Sequence, residues 1–158
     1  MASLSEAITS SLAPGIALTA VIFYNSSLQN RFIYITGRMR EVNREARALR
    51  AAGDAASAPR VASLWRQVSL MARRTRILRR AILTVYVALI SVVLTILEVF
   101  LAVVVHPPGL ETLALGTFAF ALCAMATAAG ISWTENFLSM RTIVEDVESS
   151  FGQPPDGR

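Results

Sequence analysis

Twenty-five consecutive residues, Ala81 to Val105, carry a single charge, Glu98. As a helix rising ~1.5 Å per residue, such a stretch exceeds the ~20 residues that cross ~30 Å of hydrocarbon. A second segment, Leu110 to Trp133, has Glu111 at its start and no charge in its interior. A third, Ala7 to Leu28, is weaker, because Thr9, Ser10, Ser11, Thr19 and Asn25-Ser26-Ser27 interrupt it. Inside a bilayer only helices and closed barrels satisfy every backbone polar group, and apolar runs of this length read as helices. The expectation is an all-α membrane protein with three transmembrane helices in a single domain. Composition agrees: 54% of the 158 residues are hydrophobic and the mean hydropathy is +0.51, an apolar excess that must face lipid or a partner.

Charge orients the spans. All fifteen basic residues are arginine, and thirteen of them lie between Arg31 and Arg80, against Glu41, Glu45 and Asp54, a net +10. The positive-inside rule places this connection in the cytoplasm. The outer loop, His106-Pro107-Pro108-Gly109, has no Lys or Arg. The N-terminus is then outside and the C-terminus inside. A net charge of +4 admits nucleic acid as a partner, but arginines on helices tied to a membrane meet anionic lipid headgroups first. No nucleic-acid role is expected. Glu6 is the only charge before Arg31, so the basic n-region of a signal peptide is missing.

The arginine-rich connection has its own periodicity. Phe32, Ile35, Met39, Val42, Ala46 and Leu49 are spaced 3-4-3-4-3, the seam of a coiled coil. Val61, Leu64, Val68, Met71, Thr75, Leu78 and Ile82 repeat that spacing, and the small residues from Ala51 to Pro59 separate the two runs. The pattern predicts an antiparallel coiled-coil hairpin over about 31–80, its arms continuing the first and second spans. Its seam is either its own or shared between subunits. After Trp133 the chain turns acidic, and Met140, Ile143, Val144 and Val147 predict an amphipathic cytoplasmic helix before a tail, together 134–158.

The candidate chemistry lies in the membrane. Glu98 stands seven residues before the end of its span, where a carboxylate facing lipid is costly. Thr84, Ala88, Ser91, Thr95, Glu98 and Ala102 are spaced 4-3-4-3-4, one polar or small stripe down the helix. Either the stripe is a helix-packing seam, or symmetry copies of it line a pore with Thr84, Ser91 and Thr95 as hydroxyl rings and Glu98 as the selective charge. Pro14-Gly15, at about the depth of Glu98, frees the carbonyl of Ser10 and is either a simple kink or the candidate helix break near the pore. Asn25, Ser26, Ser27 and Gln29 close the first span, either as a helix exit at the inner interface or, through Asn25 and Gln29, as a candidate inner vestibule; Glu135 is a candidate for a structural ion pair with Arg31 or Arg80. His106 is either a solvated loop residue or the candidate pH sensor, given an ordinary imidazole pKa of ~6.5. Ala124/Ala128 and Ala126/Gly130 are small-xxx-small pairs that favour close packing.

Several classes are excluded. Cys123 and His106 are the only residues of their types, which removes intrachain disulfides and a Cys/His zinc cluster. No GxSxG, HExxH or P-loop occurs, so no enzyme and no cofactor are expected.

Three strings occur together in order: Asn30-Arg31 with Arg38-Met39-Arg40-Glu41 after the Pro14-containing span, Arg79-Arg80-Ala81-Ile82-Leu83 opening the second, and Glu135-Asn136-Phe137-Leu138-Ser139 after the third. Over about Pro14 to Arg141 the chain resembles a bacterial family of small membrane proteins catalogued as domain of unknown function 2721. The resemblance implies a bacterial inner membrane and a three-helix plan, with no activity to carry over. Function at this stage rests on the stripe. The leading expectation is a homo-oligomeric cation channel, for Na⁺ or Ca²⁺ rather than K⁺, with the transported cation at Glu98. The alternative is a non-conducting scaffold or accessory subunit whose arginine-rich hairpin binds a partner or anionic lipid.

Overall fold

A computed structural model describes the backbone of residues 4–52, 58–105 and 108–151 and the side chains of 9, 12–52, 58–105 and 108–137. Three long helices form: α1 (Leu4–Ala52), α2 (Ala58–Val105) and α3 (Leu110–Phe151). Each expected hairpin arm is continuous with its neighbouring span. α1 passes through Pro14 without ending, so the expected break at Pro14-Gly15 is absent. Proline removes one N–H from a ladder of dozens, and packing holds the rest in register. Nor do Asn25-Ser26-Ser27 end the helix. Ser26 Oγ donates to the Ile22 carbonyl (3.0 Å), a bond that satisfies the hydroxyl within the helix.

Side-chain pairs fix the directions. Arg60 reaches back to Glu45 and Gln29 to Tyr86, so α2 runs antiparallel to α1. Arg74 meets Glu135 and Thr117 meets Glu98, so α3 is antiparallel to α2. Tyr24 bonds the Ala128 carbonyl and Arg31 bonds Asn136, which makes α1 and α3 parallel. Gly109 makes the turn into α3 at φ +89°, a conformation that only glycine adopts without strain. Its carbonyl accepts the Leu113 N–H (3.1 Å), and Glu111 places a negative charge in the first turn of α3.

The interior follows a seven-residue period. On α1, Val21, Leu28, Ile35 and Val42 are buried at successive sevens, and Ala46 joins them. Val21, Leu28 and Ile35 pack on Leu78, Ala81, Val85 and Val92 of α2. Further along the hairpin a second cluster unites Val42, Ala46 and Leu64, with Leu49, Val68 and Met71 beside it. Every described residue of the two expected hairpin seams is buried or half-buried. α3 meets the other helices through Ala114, Ala121, Ala124, Ala128, Ser132 and Glu135, a face of small side chains that lets backbones approach.

Among the described residues, two helices are long and apolar enough to cross a membrane, α2 and the Leu110–Phe137 part of α3. Their outward faces carry Leu83, Ile90, Phe100, Val104, Leu115 and Phe120, all more than half exposed. The beginning of the expected first span lies outside the described side chains, but from Leu12 onward α1 also presents Ile16, Ile22 and Phe23 outward. α3 runs helically through the expected amphipathic segment, whose side chains lie outside the described residues, as does His106.

Candidate functional site

Polar groups gather at the two ends of the three-helix region. Nearest the hairpin, Glu135 of α3 is 2% exposed and faces Arg74 of α2. Arg74 donates to Glu135 Oε1 through Nε (3.0 Å) and Nη2 (2.8 Å), a charge-assisted pair shielded from solvent on the acid's side. The expected partners, Arg31 and Arg80, do not make this pair. Arg74 precedes the fully buried Leu78 by four residues and Ala81 by seven, so it shares their inward face; Arg80 sits one residue from Ala81 and is turned out. Arg31 of α1 instead donates through Nη1 to Asn136 Oδ1 (2.7 Å). Around these groups lies a cavity of about 420 Å³, with Asn30, Arg31, Tyr34 and Arg38 of α1, Arg74 of α2, and Asn136 of α3 among its walls.

The hydroxyl stripe of α2 is interior to the three helices. Thr95 is 3% exposed, Ser91 6%, and Ala88 is fully buried. Ser91 Oγ donates to the Val87 carbonyl, Thr95 Oγ1 to the Ser91 carbonyl and Thr84 Oγ1 to the Arg80 carbonyl. Each hydroxyl is thus satisfied by its own helix one turn back. Ser91 and Thr95 are thus almost wholly enclosed by the protein's own helices.

Glu98 differs from the rest of the stripe. It is half-buried, and the single proton of the Thr117 hydroxyl is shared between its Oε1 (3.2 Å) and the Leu113 carbonyl (3.1 Å). Its Oε2 is buried and has no hydrogen-bond partner among the described residues. Nearby, a second cavity of about 370 Å³ opens between the helix ends remote from the hairpin, lined mainly by apolar side chains with Pro14, Thr95 and Glu111 among them. Pro14 is buried there. The expected vestibule residues are drawn into helix packing. Gln29 Nε2 donates to the Tyr86 hydroxyl across α1 and α2 (2.9 Å), and half-buried Asn25 keeps Oδ1 away from solvent and without a partner among the described residues.

Arg74, Asn136 and Thr117 belong to these clusters and were not among the expected site residues. Arg74 was detectable from its four-residue spacing to Leu78. Thr117 gave no signal in the sequence, because its role depends on how α3 rotates against α2. The described residues hold no group of three His, Cys, Asp or Glu side chains suited to a metal ion.

No curated protein and no solved structure matches the chain. A family model described as "Protein of unknown function (DUF2721)" matches residues 11–144, a stretch that takes in both polar clusters and nearly all of the described helices. The chain belongs to that family.

Proposed function

We propose that this protein is a membrane-anchored docking subunit, fixed in a bacterial inner membrane with its N-terminus outside, whose cytoplasmic hairpin recruits an acidic protein partner. The supporting observation is the placement of the hairpin arginines. Twelve of the thirteen from Arg31 to Arg80 are exposed, and among the described residues two of those twelve, Arg38 and Arg60, form ion pairs, with Glu41 and Glu45. The arms pack through a heptad seam, an antiparallel coiled coil that holds these cations on a rigid support. Arg44 lies thirteen residues beyond Arg31, hence ~20 Å further along the helix. Surface charges are screened over ~8 Å at physiological ionic strength, so the distal arginines face the cytosol rather than the headgroups.

The test uses full-length protein in vesicles of zwitterionic lipid and an acidic helical peptide as probe. Wild-type vesicles should retain the peptide, with retention falling as salt rises. Reversing two distal charges, Arg44→Glu with Arg47→Glu, should lower retention at least about tenfold. Equal retention by the two proteins overturns the docking reading.

One observation favours a second reading, the oligomeric cation channel. The partnerless oxygen of Glu98 is an acceptor within a segment able to cross the membrane, where acids mark ion pathways. A pore between copies then uses the α2–α3 face around Glu98 and Thr117, since Ser91 and Thr95 are enclosed. Reconstituted protein would carry Na⁺ or Ca²⁺, and Glu98→Gln would change the selectivity. An absence of cation flux from reconstituted, correctly oriented protein eliminates the channel.

A further inference from the structure

We infer that the cavity at the hairpin end of the three-helix region is a binding site for the phosphodiester of a phospholipid headgroup. Its floor is closed by buried Glu135 and Ile35, and its rim is formed by exposed Asn30, Arg31, Tyr34, Arg38 and Asn136. The volume of about 420 Å³ falls within the ~300–1,000 Å³ typical of small-ligand sites.

The rim cations are not equivalent. Arg74 is neutralised by Glu135, and Arg38 is paired with Glu41. Arg31 has no carboxylate within ion-pair distance among the described residues, and its bonded partner is a neutral amide. That bond occupies one of the five N–H donors of the guanidinium and orients it at the cavity mouth. The remaining donors form the planar fork that matches two oxygens of a phosphate. Arg74, held back by Glu135, adds a positive wall without needing a ligand of its own.

Level in the membrane identifies the source of the phosphate. α1 and α3 run parallel, with Tyr24 opposite Ala128 and Arg31 opposite Asn136. Trp133 therefore lies a turn or so toward the bilayer centre from Arg31, and Tyr34 about a turn toward the cytoplasm. Both rings are about three-quarters exposed. Exposed Trp and Tyr mark the bilayer–water interface, where lipid phosphates reside. Exposed Ile22 and Phe23, further into the membrane on the same helix, offer apolar surface at acyl-chain depth. The inference rests on the membrane placement, not on docking at the distal arms.

Native mass spectrometry of the full-length protein in detergent, with short-chain phosphatidylglycerol as probe, tests it. Wild type should retain one lipid, and Arg31→Gln should weaken apparent affinity about tenfold or more. Arg66→Gln, on the exposed surface of the distal hairpin, should leave it unchanged. Should Arg31→Gln fail to fold, Asn136→Ala tests the same site by releasing the guanidinium, with a loss of about threefold expected. The site is overturned if the variants bind as wild type does, or if diacylglycerol, which lacks phosphate, is retained equally. Displacement of the lipid by inorganic phosphate would assign the cavity to the free anion and overturn the lipid. Because the docking test uses Arg44 and Arg47 with a peptide, either idea can fail without the other.

Discussion

Arg74 and Arg80 stand six residues apart on α2, yet one is held against a buried acid and the other faces outward. Removing that acid by Glu135→Ala leaves a guanidinium that is mostly enclosed and has lost its acceptor. The expected cost is about 2 kcal/mol, below the figure for a fully buried pair because Arg74 retains some solvent. It should appear as a lower thermal midpoint in detergent, whereas Arg80→Ala should change stability by less than about 0.5 kcal/mol. That Glu135 forms an ion pair was legible in the sequence from its position at the end of an apolar span. Its partner was not, because several arginines lie within reach and helix rotation selects one. Glu98 is similar: its cost in lipid was legible, while the Thr117 contact that half-satisfies it depends on two helices meeting. Arg38 needs no such context. The hydrogen bond it donates to Glu41, and then Glu41's charge, raise its pKa above the ordinary arginine value, so it stays protonated throughout the working range and would lose its charge only at still higher pH.

α3 shows how one helix can carry two faces of small residues with different consequences. Ala121 and Ala128 are fully enclosed against the other helices, whereas Ala126 and Gly130 lie on the outer surface with open space around Gly130. Ala128→Leu should therefore force the helices apart at a cost of about 1–3 kcal/mol. Ala126→Leu should be tolerated, and thermal unfolding of the two variants side by side checks the contrast. A reversed order would mean that the outer face is the packed one in the assembled protein. At the turn, Gly109→Ala should cost ~1–2 kcal/mol through its left-handed backbone rather than through crowding, since nothing lies within 4 Å of the added methyl. The 3-4 spacing made both the α2 stripe and the α1 seam legible before any coordinates. Periodicity names a face, however, and not what covers it. For Ser91 and Thr95 the cover is the protein's own helices, which explains why a pore and a packing seam read alike in sequence.

Across the whole molecule, the arrangement of helices makes the proposed orientation measurable. In a Cys123→Ala background, Arg47→Cys should react with a membrane-impermeant maleimide in inverted vesicles and remain unlabelled in intact spheroplasts. The reverse pattern would place the hairpin outside and overturn the orientation. The three-helix plan and the long arginine-rich connection were readable from apolar run lengths and charge alone. The continuity of α1 through Pro14 and Asn25-Ser26-Ser27 was harder to read, because those residues weaken a helix locally while packing along its length sustains it. That continuity has a mechanical meaning. Val21, Leu28, Ile35 and Val42 bind α1 to α2 at regular intervals from the apolar region into the hairpin, so the two form a stiff rod with no hinge between its halves. From Arg31 to Ala52 the rod extends ~32 Å, and a change in tilt of about 5°, small beside the ~20° typical of membrane helices, swings its tip by about 3 Å. Such a lever turns a small change in helix tilt into a larger displacement at the hairpin tip.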